Sequence, residues 1–99
     1  MKQNEPEALE IPVDGVLDLH CFQPREVAAV VADYLEVCQQ RGILHVRLIH
    51  GKGIGNLRRT VESLLQKLEK VKSWHAAGHD AGHWGATIVE LKPLSSVVP

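Results

Sequence analysis

Asp18 and His20 stand one residue apart at the end of a short alternating run, Gly15–His20 (GVLDLH). In an extended strand, positions i and i+2 share a face, so the carboxylate and the imidazole are neighbours. A carboxylate beside an imidazole orients the ring, which suits general acid–base work or polarisation of a phosphate. His50 ends a second alternating run, Leu44–His50 (LHVRLIH), in the same way. The plainer alternative for either histidine is a ring that satisfies local backbone groups.

Directly after His50 the chain reads Gly51-Lys52-Gly53-Ile54-Gly55-Asn56. Three glycines in five positions let the backbone turn at positive φ and leave its N–H groups uncovered by side chains. The segment leads into a helix start, which carries partial positive charge and orphan donors. Lys52, Arg58 and Arg59 add formal charge. Together these features describe a phosphate cradle. No Gly-Lys-Ser/Thr closes it, so it is not a Walker A loop. Asn56 stands where a third glycine would complete a Rossmann fingerprint. The plainer alternative is a simple strand-to-helix turn, which seldom needs three glycines.

Other residues carry weaker signals. His75, His79 and His83 are spaced four apart around Asp80, which on a helix would set three imidazoles on one face as metal ligands. Gly78 and Gly82 argue against a helix there, and no metal site is expected. Trp84, in the same polar stretch, could stack on a base or pack on the sheet. Trp74, among alternating residues, is expected in the core. Cys21 follows the Asp–His pair with nothing to mark an activated thiol. Cys21 and Cys38 cannot make a disulfide framework, and a cytoplasmic protein with reduced thiols is expected.

The elements that must position these groups are legible from spacing. Pro24 suits a first helical position, and Val27, Val30, Val31, Tyr34, Leu35 and Cys38 recur at helical spacing. This predicts an amphipathic helix over Pro24–Arg41, ended by Gly42. Leu57, Val61, Leu64, Leu65 and Leu68 predict a second over Asn56–Lys70. Val71–Ala77 reads as a short edge strand and Gly85–Leu91 as the last strand. The order β-α-β-α-β-β, its first two strands parallel, makes a two-layer α/β sandwich with a mixed four-stranded sheet and two helices. The domain spans residues 13–93, between an N-terminal arm, 1–12, and a C-terminal tail, 94–99. Adjacent parallel strands would set His20 and His50 at one sheet edge beside the glycine loop, the usual ligand site of an open α/β sheet.

Ninety-nine residues hold one domain. A hydrophobic share of 44 % and a charged share of 23 % match a soluble globular chain. No apolar run approaches the roughly 20 residues of a membrane helix, and no membrane partner is expected. The net charge of −1 hides an asymmetry. Residues 1–40 carry two basic and eight acidic side chains, a balance of −6, and residues 41–72 carry eight basic and two acidic, a balance of +6. The overall charge argues weakly against nucleic acid, while the middle third argues for an anionic partner. The apolar positions of both helices fit a monomer's core.

Three blocks occur in order: Leu17–His20 (LDLH), His50–Arg58 (HGKGIGNLR) and Gly82–Leu91 (GHWGATIVEL). Together they resemble the Smr (small MutS-related) domain family over about Ile11–Pro93, nearly the whole chain. The resemblance rests on Asp18 and His20, on His50, Gly51, Gly53, Gly55 and Arg58, and on Gly82, Gly85 and Thr87. It implies an α/β sandwich like the C-terminal domain of translation initiation factor three. It also implies nucleic-acid binding and, as in several members, endonuclease cleavage of DNA or RNA. Two departures stand out. Cys21 replaces the glycine usual after the first histidine, and the last glycine block is altered, with Ala81 before Gly82 and His83-Trp84 before Gly85.

The expected function is therefore a Smr-type endonuclease with Asp18, His20 and His50 as catalytic residues. His20, oriented by Asp18, would act as general base or acid, and His50 as its counterpart or as an electrophilic stabiliser. Gly51, Lys52, Gly53, Gly55, Asn56, Arg58, Arg59, His83, Trp84, Gly85 and Thr87 would hold the nucleic acid. Cleavage of RNA through its 2′-hydroxyl requires no metal. Cleavage of DNA needs an attacking water and would favour Mg2+ or Mn2+. The alternatives are a non-catalytic DNA- or RNA-binding module and an enzyme acting on a small phosphorylated metabolite.

Overall fold

The structure, a computed structural model, describes residues 12–51, 56–77 and 85–94. The chain runs β1 (Val16–Asp18), a 3-10 turn (Leu19–Cys21), α1 (Pro24–Gln40), β2 (His45–Ile49), α2 (Asn56–Lys67), β3 (Val71–Ala76) and β4 (Ala86–Leu91).

Local chemistry sets these boundaries. α1 opens with Pro24 in its first turn, where a missing N–H costs nothing, and the Glu26 carboxylate accepts the Gln23 N–H at 3.1 Å. It closes on Gly42 at φ +78°, whose N–H donates to the Gln39 carbonyl while Ile43 N–H donates to that of Cys38. That pair of bonds is a Schellman cap. α2 stops at Lys67, three residues short of the predicted end. The N–H groups of Leu68 and Val71 donate to the carbonyls of Leu65 and Leu68, so the chain tightens into i to i−3 turns there. Leu68 still packs against the core, which is why the apolar spacing runs past the helix.

The sheet order is β1-β2-β4-β3, with β1 parallel to β2 and β4 antiparallel to both of its neighbours. The mixed four-stranded sheet, the parallel first pair and the edge position of the third strand agree with the sequence reading. Inserting β4 between β2 and β3 has one consequence for the site. β1, β2 and β3 run the same way, so their carboxyl ends meet the start of β4 at a single edge.

Leu17, Val46, Leu48, Val89 and Leu91 point to the helices and join Val27, Val31, Leu35, Val61 and Leu65 in one buried core, with Trp74 packed against it. On the opposite sheet face Val16, Asp18 and His45 are exposed. The Tyr34 hydroxyl, buried on α1, accepts the Gly15 N–H and donates to the Val16 carbonyl, both at 3.1 Å. It thereby ties the start of β1 to the helix layer. Cys38 is a free, buried thiol whose burial pushes its pKa up. Among the described residues no helix is long and apolar enough to cross a membrane.

Candidate active site

The first strand ends at Asp18 rather than His20, because the Asp18 side chain folds the next residues into a turn. Its Oδ1 accepts the His20 backbone N–H at 2.9 Å and also contacts His20 Nδ1 at 2.8 Å. A carboxylate oxygen can only accept, so Nδ1 carries a proton, and Nε2, the ring's remaining lone-pair nitrogen, has no hydrogen-bond partner among the described residues. The two side chains are 60 % and 53 % exposed, so a substrate can reach them. Sequence spacing placed the pair side by side; the structure adds the capping turn that locks the ring.

Gly51 lies beneath that ring. His20 Nε2 is only 2.7 Å from where a Cβ on Gly51 would sit, and Gly51 has φ +82°. The positive φ favours glycine at this position, and a Cβ there would push the His20 ring aside. The Gly51 N–H and the His50 N–H donate to the same acceptor, the Gly85 carbonyl, at 2.8 and 2.9 Å. The Gly51 amide is therefore engaged within the protein. Gly51 serves the site through its backbone turn and the space above it. Gly85, itself buried, is the clamp that fixes the end of β2 to the start of β4.

His50 is arranged differently from His20. It is 5 % exposed. Its Nδ1 donates to the Gly51 carbonyl at 3.0 Å, and its Nε2 meets the Thr87 hydroxyl at 2.9 Å. In the neutral ring Thr87 donates to Nε2, and both nitrogens are occupied. Thr87 is 1 % exposed and pairs with Leu48 across the sheet. It holds His50 from below and does not reach the surface. Nothing local in the sequence signals this bond, which joins residues 37 positions apart.

The helix starts at this edge are unlike each other. At α1 the Glu26 carboxylate already occupies the N-terminal position. The first turn of α2 holds no acid. It presents Asn56, Arg58 and Arg59, all exposed, with Arg58 Nε 3.4 Å from Glu62 Oε2. A helix N-terminus flanked by arginines favours an anion; one capped by its own carboxylate does not. Lys52, Gly53, Gly55, His83 and Trp84 of the expected binding set lie outside the described residues, as do His79, Asp80 and Gly82. His75 is exposed on β3, a strand, so the helical trio of histidines does not form at its first member. Among the described residues no three His, Cys, Asp or Glu side chains converge as a metal site would need.

The sequence model of the Smr domain family matches residues 17–92. The chain belongs to the Smr domain family. It is 41 % identical over 80 residues to the endonuclease MutS2 of Leuconostoc mesenteroides subsp. mesenteroides, and 35 % identical over 80 residues to that of Clostridium botulinum. Each match takes in 81 % of this chain but 10 % of the relative, so this Smr chain spans about a tenth of their length. Among solved structures, the Smr domain of Thermus thermophilus MutS2 superimposes with a TM-score of 0.75 at 33 % identity, covering 79 % of this chain and 98 % of that one. YdaL, a stand-alone small MutS-related protein from Escherichia coli, superimposes with a TM-score of 0.72 at 26 % identity, covering 82 % of this chain and 66 % of that one.

Proposed function

We propose that this Smr domain cleaves nucleic-acid phosphodiesters, with His20 as the proton-transfer group. The observation that carries the reading is the Asp18–His20 pair: Nδ1 held at 2.8 Å and Nε2, without a hydrogen-bond partner among the described residues, next to Gly51. The MutS2 relatives, named as endonucleases, support the same reaction class. The phosphodiester lies between Nε2 and the first turn of α2, where Arg58 and Arg59 offset its charge. On RNA, Nε2 takes the proton of a 2′-hydroxyl and the 2′-oxygen bonds to the adjacent phosphorus. The bond from phosphorus to the 5′-oxygen breaks, and that oxygen leaves as an alcohol with a proton from water. On DNA the attacking oxygen comes from water, whose proton goes to the same nitrogen; one ester bond from phosphorus to a sugar oxygen breaks, and that oxygen leaves as an alcohol with a proton from solvent. Asp18 stabilises the imidazolium in either case.

His50 takes a positioning role in this reading instead of the expected proton transfer, because both of its ring nitrogens already have protein partners. The test is a gel assay of end-labelled RNA and of supercoiled plasmid, each with Mg2+ or Mn2+ and with EDTA. Cleavage that disappears in His20→Ala is the expected result. Bands that are identical for both proteins would overturn the assignment and leave a nucleic-acid-binding module.

A further inference from the structure

The charge asymmetry of the sequence becomes an asymmetry between the two helices. α1 and α2 pack side by side on one face of the sheet. The exposed charges of α1 include Glu26, Asp33 and Glu36 against Arg25 alone. The exposed positions of α2 are Asn56, Arg58, Arg59, Thr60, Ser63, Gln66 and Lys67, with no carboxylate among them. Its one acid, Glu62, is half-buried and faces Arg58. Beyond the helix, Lys70 and Lys72 outnumber the exposed Glu69 and carry the positive charge on toward β3. The exposed face of α2 starts at the same edge as His20 and leads away from it.

From this we infer that the nucleic acid leaves the cleavage site along α2 and is excluded from α1. The proposal rests on the function proposed above and deepens it by giving the polymer a path. At a rise of about 1.5 Å per residue the twelve residues of α2 span roughly 18 Å. That length matches about five phosphates of a single strand held with stacked bases at roughly the 3.4 Å duplex spacing. The two ends of α2 then do different work. Arg58 and Arg59 sit at the scissile phosphate, while Lys67 and Lys70 hold phosphates several nucleotides away. Asp33 and Glu36 repel any strand that would cross α1.

The experiment uses two double variants, Lys67→Gln/Lys70→Gln and Asp33→Asn/Glu36→Gln. All four changes fall on surface positions outside the site. Affinity for a four-nucleotide and for a twenty-nucleotide single strand is measured across a salt series. For the lysine pair, the long strand should weaken on the order of tenfold at 0.1 M salt, and its log–log salt slope should shrink by about 1.4, at roughly 0.7 per lost contact. The short strand should bind as it does to the wild type. The α1 pair should bind the long strand as tightly as the wild type or more tightly. An unchanged slope for the lysine pair would overturn the path. Equal and opposite effects of the two pairs on both strand lengths would overturn it too, because net charge would then be acting as a general field. Failure of the wild type to bind either strand would instead sink the proposed function, and the path with it.

Discussion

Two histidines that look equivalent in sequence occupy opposite situations. His20 is exposed, with one nitrogen fixed by Asp18 and the other without a partner among the described residues. His50 is buried, with both nitrogens engaged. The first arrangement was legible because its partner is two residues away. The second was not, because Thr87 reaches His50 only through the strand order. Two predictions separate the roles. His50→Asn keeps a side-chain N–H for the Gly51 carbonyl, so a positioning residue is partly rescued and cleavage should stay within several-fold of wild type. A proton-transfer residue would lose about 10²–10⁴ in rate. Thr87→Val leaves a buried ring nitrogen without its donor and should cost about 1–3 kcal/mol in urea unfolding, with Thr87→Ser recovering much of it. Gly51→Ala combines a strained φ with displacement of the His20 ring. It should cost roughly 1–2 kcal/mol from the backbone alone, and cleavage should fall further than binding because Nε2 moves.

At the scale of elements, most of the fold was legible from periodicity. Helix starts and stops have short-range causes, such as Pro24 and the Gly42 cap. What the spacing could not give was the place of β4, which depends on contacts distant in sequence. The role of Tyr34 was also hidden, although a tyrosine on the buried face of a helix must find a partner for its hydroxyl. Tyr34→Phe leaves the buried Gly15 N–H without an acceptor. It should lower stability by about 1–3 kcal/mol while leaving the helix content by circular dichroism unchanged. Burial raises the Tyr34 pKa above its ordinary value. The folded state therefore holds this proton more tightly than the unfolded chain. Stability is intact below about pH 10 and falls as pH rises beyond it. Urea midpoints measured across that range should decline more steeply for the wild type than for Tyr34→Phe.

For the molecule as a whole, strand order gathers the ends of β1 and β2 and the start of β4 at one edge and separates a negative helix from a positive one. The blocks of charge were visible in the sequence, but only packing shows that they become neighbouring helices with different exposed faces. Net charge alone would have hidden the positively charged helix. In the proposed reaction His20 Nε2 moves the proton in phosphodiester cleavage by this Smr domain. The most direct test is to measure single-turnover cleavage and affinity on the same labelled oligonucleotide for wild type and His20→Ala. The expected result is a rate lower by at least about 10²-fold with affinity little changed. An unchanged rate, or a rate that falls only in step with affinity, would contradict it.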